Sequence, residues 1–447
     1  MGKESKVLKV SLPLIAQMTV YTFMSIFDMM MMGKYAGNIA VNVLGLSNAL
    51  VNIFAGVFII NGIAIGMISL ISRCIGAKKY HKAALCVYNG LIVGTILALV
   101  ITFIIFIFGK NILYKMGARE DILYITLNFS KINALAMFFY MISTLLNSVF
   151  IAYDHSNIPF LTAIVQFLTK IFFNWIFMFN IFKTEININS SALSSLICYV
   201  VGFIFCFLKL NEYRTQIIGL YGKLKISFKA MMEIIYLSLP SSFEEAAYGI
   251  SRLICTSIIM YSGTLAFSAN EIANTIESIS FMPGTGFGVA ATTLVGINIG
   301  KGDVKGAKKS ADHCAFWALL MMCSFSLIFL FMPSLLVKFF VNKEEWKVAY
   351  LAGRCLAIGA AEQPFIAISM VFAGALKGIG DTKGPFFISL FTAWIIRLPL
   401  IYYFIYILRY NITAVWWITA IQWGIDGILM FIFFRYRIYN YKNINKK

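Results

Sequence analysis

The heptapeptide SLPLIAQ at positions 11–17 returns as SLPSSFE at 238–244, an offset of 227 in a chain of 447. Three further pairs keep nearly the same interval: Gly76 and Gly300 are 224 apart, Pro159-Phe160 and Pro385-Phe386 are 226 apart, and Lys170 and Arg397 are 227 apart. Any one of these matches arises by chance in a long apolar chain. A near-constant offset across all of them signals a duplicated unit, an arrangement common among membrane carriers.

Composition says what solvent the duplicated unit is built for. Hydrophobic residues make up 60% of the chain and charged residues 13%, with a mean hydropathy of +0.83. A soluble domain is ~45–50% apolar and ~25% charged, so water is excluded as the main environment. Twelve apolar stretches are long enough to cross ~30 Å of hydrocarbon as helices. They fall near 10–32, 47–72, 84–108, 122–150, 158–182, 190–208, 231–261, 270–297, 311–337, 348–376, 384–408 and 414–434, and are numbered helices 1–12. Runs of this length exclude a β-barrel. The expected fold is all-α and polytopic, two six-helix bundles in a parallel 6+6 repeat around a central cavity. An N-terminal lobe (1–210), a cytoplasmic amphipathic linker (211–230) and a C-terminal lobe (231–447) follow.

The net charge of +18 raises nucleic-acid binding, and its placement argues against it. The termini and even-numbered loops hold 23 Lys/Arg and the odd-numbered loops hold 9. That bias puts both termini in the cytoplasm of a multi-pass cell-membrane protein, its basic loops against anionic lipid. The start, MGKESKVLKVSL, has no short apolar core with a cleavage site, so helix 1 is expected to serve as the insertion signal. Eight isolated cysteines read as small buried hydrophobes, and three scattered histidines give no metal-ligand spacing. No cofactor is expected, and the protein is expected to be a monomer.

Eleven charges fall inside the apolar stretches: Asp28, Glu244, Glu245, Glu277, Glu362 and Asp426, with Lys131, Lys170, Arg252, Arg354 and Arg397. Each costs ~2.5–3.5 kcal/mol at a helix centre, so they face the bundle interior, paired with one another or lining a wet cavity. Lys170 and Arg397, matched across the repeat, read as structural charges. A carboxylate in a low-dielectric cavity exchanges a proton, or Na⁺ in its place, near neutral pH. Asp28, Glu244, Glu245 and Glu362 are the ion-coupling candidates on this ground. Glu362 lies near the midplane, and Pro364 frees a carbonyl beside it. Glu244 and Glu245 are ~100° apart around helix 7, so they point different ways. By the offset, Glu244 matches Gln17 and Asp28 matches Cys255. Candidates for the cavity lining are Gln17, Tyr21, Tyr248, Arg252, Glu277, Phe281, Met282 and Phe287, a mixture suited to flat organic cations.

These residues resemble the multidrug and toxic compound extrusion (MATE) transporters along nearly the whole chain. The resemblance rests on SLPLIAQ with FDMMMMG in helix 1, IGAKK after helix 2 and FMPGTGFGVAATTLVGINIGKGDVKGAKK around helix 8. GALKGIGDTKGP and Trp394 to Pro399 carry it through helices 10 and 11. It implies an efflux carrier that alternates access between two lobes, driven by inward Na⁺ or H⁺ and exporting cationic, amphipathic compounds. It also implies a coupling role for Asp28 and for Glu244 or Glu245. Some members carry the helix 7 acid one turn later, where this chain has Tyr248. A lipid-linked oligosaccharide flippase shares the architecture, but its basic cavity differs from the acidic set here. A membrane-embedded transferase needs a His/Asp pair or a carboxylate–metal motif, which the sequence does not offer.

Overall fold

The computed structural model describes residues 3–116, 120–178, 189–217, 225–341 and 345–444. Regular structure in these residues is helical throughout. Ten helices are long and apolar enough to cross a membrane: α1 Lys6–Lys34, α2 Ala55–Gly76, α3 Tyr80–Lys115, α4 Ile122–Ala152, α5 Asn157–Phe177, α6 Asn189–Glu212, α8 Thr264–Gly300, α9 Val304–Phe331, α11 Lys383–Ile407 and α12 Thr413–Tyr441. Two more complete the set of twelve expected from the sequence. α7 (Phe228–Met260) is long enough but carries Glu233, Glu244, Glu245 and Arg252. α10 is a bent pair, Trp346–Gly359 with Gln363–Ile379, turned by 52° at the break.

The helical backbone of α1 starts at Lys3 and continues beyond the apolar stretch to Phe54, where a wider π-type turn begins α2. Sequence hydropathy sees only where charge thins out, so it separates helices 1 and 2 across residues whose backbone is itself helical.

The chain divides into two compact units, Ala16–Ser242 and Met1–Ile15 with Phe243–Lys447. The division falls within α1 after Ile15 and within α7 after Ser242, positions that differ by the same offset of 227, so the duplicated segment and the structural division share one period. Pro13 in α1 and Pro240 in α7 stand just before these points.

In the Ala16–Ser242 unit, a core of Ile59, Ile63, Met67, Ile71, Ile101, Leu145 and Phe150 joins α2, α3 and α4. Small residues let the backbones approach, as membrane helices require. A methyl group on Gly62 would meet the Ser242 hydroxyl at 2.2 Å, and one on Gly66 would meet that of Ser238 at 2.3 Å. The connection ahead of α7 is tied to this unit. Ser227 donates its amide to Asn89 Oδ1 at 2.8 Å, Tyr153 donates its hydroxyl to the Ile217 carbonyl at 2.8 Å, and Lys82 pairs with Glu233 at 2.8 Å. Linker positions 218–224 lie outside the described residues.

In the second unit, α8 and α10 make the closest contact. A methyl group on Gly374 would lie 2.1 Å from the Gly288 carbonyl oxygen, and one on Gly378 would lie 2.6 Å from that of Thr292. Thr292 Oγ1 donates to the Gly374 carbonyl at 2.9 Å. The rest of GALKGIGDTKGP closes the helix and starts the next. Gly380 takes φ +99°, where only glycine avoids strain, and its amide and that of Asp381 return to Lys377 and Leu376. Asp381 accepts the Gly384 amide at 2.9 Å and pairs with Arg437 at 2.6 Å.

Candidate functional site

The intramembrane charges differ in their surroundings. In the Ala16–Ser242 unit, Asp28 is buried on α1 and fully engaged. Lys170 of α5 meets its Oδ2 at 3.2 Å, while Asn174 and Ser191 donate to Oδ1 at 3.0 and 2.7 Å. Lys170 and Asn174 are one helical turn apart on α5, as Ser191 and Ser195 are on α6, so each helix presents a single polar face here. Lys170 therefore has a definite partner, the acid of helix 1.

Tyr21, also on α1, donates its hydroxyl to Gln166 at 3.0 Å and meets the ring of Tyr140 edge-on at 5.8 Å; Tyr199 continues the cluster 5.0 Å from Tyr140. Gln17 bonds the same tyrosine. Three tyrosines thus gather near the Asp28 network in one unit.

In the second unit, the adjacent glutamates of α7 part company, as their separation around the helix requires. Glu244 is half-buried and meets Lys377 Nζ at 2.9 Å, whereas Glu245 is exposed. Lys377 stands in the last turn of α10, where a lysine usually serves the helix terminus. Its acid partner could not be read from chain position. Asp426 is buried and accepts from Ser369 at 2.5 Å and Thr392 at 2.7 Å, so hydroxyls hold it.

Glu362 differs from all of these. It sits at the break of α10 with no exposed surface, and neither carboxylate oxygen meets a donor among the described residues. The buried carboxyl of Glu277, on α8, lies within hydrogen-bonding reach of it. Gln363 Nε2 donates to Glu277 Oε1 at 3.1 Å, while the buried Gln363 Oε1 has no donor among the described residues. The carbonyl freed by Pro364 is not an additional ligand. It belongs to Ala360, four residues back, and the Ser326 hydroxyl caps it at 2.6 Å.

Across the repeat, Arg397 stands where the first unit has Lys170, and Cys255 stands where it has Asp28. The guanidinium makes no ion pair among the described residues. It donates to the Tyr248 hydroxyl at 3.2 Å and to Ser251 at 3.2 Å, and lies 4.8 Å from the Tyr248 ring centre. Trp394, one turn earlier, donates to the Ala247 carbonyl at 3.0 Å, so W-x-x-R fastens α11 to α7. The segment Phe391–Arg397 is wound as a π-helix, and Ser251 donates to the Ala393 carbonyl within it at 3.3 Å. Tyr248 and Phe281 both lie beside Trp423, at 6.0 and 6.3 Å between ring centres. Tyr248 is the repeat equivalent of Tyr21, a match at offset 227 that could have been found in the sequence.

Of the other candidate lining residues, Arg252 is exposed and Met282 half-buried, but Phe287 has no exposed surface. Phe287 belongs to the core of its unit, because the glycine-rich face of α8 draws its neighbours close. Sequence reasoning missed Asn174, Ser191, Ser195, Gln363, Ser369, Thr392 and Lys377. Lys377 falls just past the end of the helix 10 stretch (348–376), and uncharged polar residues such as the other six are too common in membrane helices to single out without a carboxylate beside them.

Twelve helices in two repeated sets, with most of their intramembrane charges buried or half-buried and Glu245, Arg252 and Arg354 exposed, define a polytopic membrane carrier. The MatE family model matches residues 13–176 and again 240–403, two copies set at the period of the internal repeat, so the chain belongs to the MatE family of transporters. It is 22% identical to the uncharacterized transporter YisQ of Bacillus subtilis, over 97% of this chain and 94% of the relative. It is also 22% identical to a probable multidrug resistance protein NorM of Thermotoga maritima, over 92% and 88%. Among solved structures, it is similar to an outward-facing multidrug resistance MATE family transporter, with TM-score 0.91 and 18% identity over 99% of this chain and 97% of that one. A transporter from Pyrococcus furiosus, described by a reversed polarity of its binding pocket, matches with TM-score 0.91 and 19% identity over 99% of this chain and 97% of that one.

Proposed function

We propose that this protein exports cationic, amphipathic organic compounds from the cell across the plasma membrane, with both termini cytoplasmic, by antiport against Na⁺ or H⁺. Alternating access of its two units carries the exchange. The observation that supports coupling is the pair Glu277 and Glu362, two buried carboxyls in mutual reach with no ammonium or guanidinium bound to either among the described residues. Two like charges so close cannot both persist in a low-dielectric interior without an added cation. A bound proton or Na⁺ relieves them, and its release restores the demand. Asp28 and Glu244 already hold lysines, and Glu245 is exposed, so the main coupling load falls on Glu362 with Glu277. The rings of Tyr248, Phe281 and Trp423 offer π-faces to a flat cation.

The relatives named for multidrug resistance are consistent with this cargo. In proteoliposomes with Na⁺ and pH gradients imposed separately, one gradient is expected to drive export of a fluorescent organic cation. Glu362→Gln is expected to abolish the driven component while the protein still folds and inserts. Gradient-driven export at the wild-type rate by that variant would remove the pair from the mechanism.

A further inference from the structure

The Asp28 site has the ligands of an alkali-ion site, and a side chain fills it. Around Lys170 Nζ stand four oxygens: Asp28 Oδ2 at 3.2 Å, the Ser191 carbonyl at 3.1 Å, Ser191 Oγ at 3.3 Å and Ser195 Oγ in close contact. An ammonium has three protons to donate, one fewer than the oxygens that surround it. Carboxylate, carbonyl and hydroxyl oxygens together are the donor set a hard cation takes. Here the carbonyl comes from the first turn of α6, shortly after its start at Asn189. Lys170 and Asp28 are both buried, so neither charge is relieved by water.

We propose that the Lys170 ammonium is a built-in substitute for a monovalent cation: it occupies the oxygen cage of Asp28 permanently and makes this unit independent of Na⁺. The repeat supplies the contrast. In the second unit the equivalent base, Arg397, has Cys255 in place of the acid, while Glu362, with no donor on either carboxylate oxygen among the described residues, lies elsewhere in that unit beside Glu277. One unit thus carries its cation covalently and the other has carboxyls that demand one. The inference concerns cation occupancy and holds whatever the chain exports.

Removal of the tether tests it. Lys170→Ala leaves the Asp28 carboxylate with its oxygens and no cation, so the cage is expected to bind Na⁺ from solution. The purified full-length protein in detergent is melted in Na⁺ and in N-methyl-D-glucamine, a cation too large for the cage, at equal ionic strength and mildly alkaline pH. A ligand that binds only the folded state raises the melting temperature by mass action. Lys170→Ala is expected to melt several degrees higher in Na⁺, saturably. Wild type and the double variant Asp28→Asn/Lys170→Ala are expected to lack this added gain, since the first holds its own cation and the second has no anion to pair. If Lys170→Ala unfolds during purification, its yield in Na⁺ against the organic cation gives the same reading. Equal melting or equally poor yield in the two salts would overturn the proposal, as would a matching Na⁺ gain in the double variant. Because no transported compound enters the assay, failure of the export reading would leave this result untouched, and the reverse also holds.

Discussion

Gly374→Ala tests whether the α8–α10 contact holds the acid pair in place. The added methyl carbon would fall 2.1 Å from the Gly288 carbonyl oxygen and 2.7 Å from its carbon, both backbone atoms with no rotamer to yield. Ordinary contact begins near 3.4 Å, so the helices must part locally by about 1.3 Å. Overpacking of this kind costs about 1–3 kcal/mol. Loss of the 2.9 Å bond from Thr292 to the Gly374 carbonyl adds about 0.6 kcal/mol, a typical value for an interhelical bond in a membrane protein. Alanine's better helix propensity returns about 1 kcal/mol. The net loss is about 0.6–2.6 kcal/mol, which lowers Tm by roughly 1–10 °C for a unit of this size. Gln363 and Glu277, joined at 3.1 Å, stand on the same two helices, so cation-driven export is expected to fall along with stability. Gly249→Ala is the control, because nothing lies within 4 Å of the methyl group it adds. Melting of the purified variants, followed by helical circular dichroism, decides the matter. If Gly374→Ala melts with or above Gly249→Ala, the contact does not have the tightness on which the argument depends.

Lys377→Met strands the Glu244 carboxylate and is expected to cost about 3 kcal/mol. Adding Glu244→Gln should restore most of that loss, whereas additive losses in a double-mutant thermal cycle would show that the 2.9 Å pair is not coupled. Gly380→Ala forces a methyl group onto a backbone at φ +99° and should cost about 1–2 kcal/mol, seen as a lower Tm; an unchanged Tm would mean that the end of α10 relaxes freely. Arg397→Lys cannot reach both Tyr248 and Ser251 as a planar fork does, and a Tm drop of a few degrees is expected. An unaltered Tm would place the guanidinium outside the packing of α7 against α11.

The internal repeat, the twelve apolar stretches and the family motifs were legible in the sequence, because a bilayer imposes one hydropathy rule on every helix it contacts. The cost of charge in hydrocarbon likewise picked out Asp28, Glu244, Glu245, Glu277, Glu362 and Asp426 by chain position alone. Which partner each acid holds was decided by the tertiary structure. Asp28 meets Lys170 four helices further along the chain, and Glu244 meets Lys377 three helices further; no helical period links residues so distant. Glu277 and Glu362 come together where α8 packs against α10, helices whose glycines approach to backbone contact further along their length. Hydropathy measures what a side chain costs in lipid. It carries no record of the atom that side chain meets across a helix interface, and that atom determines whether a buried acid is already satisfied or still requires a cation.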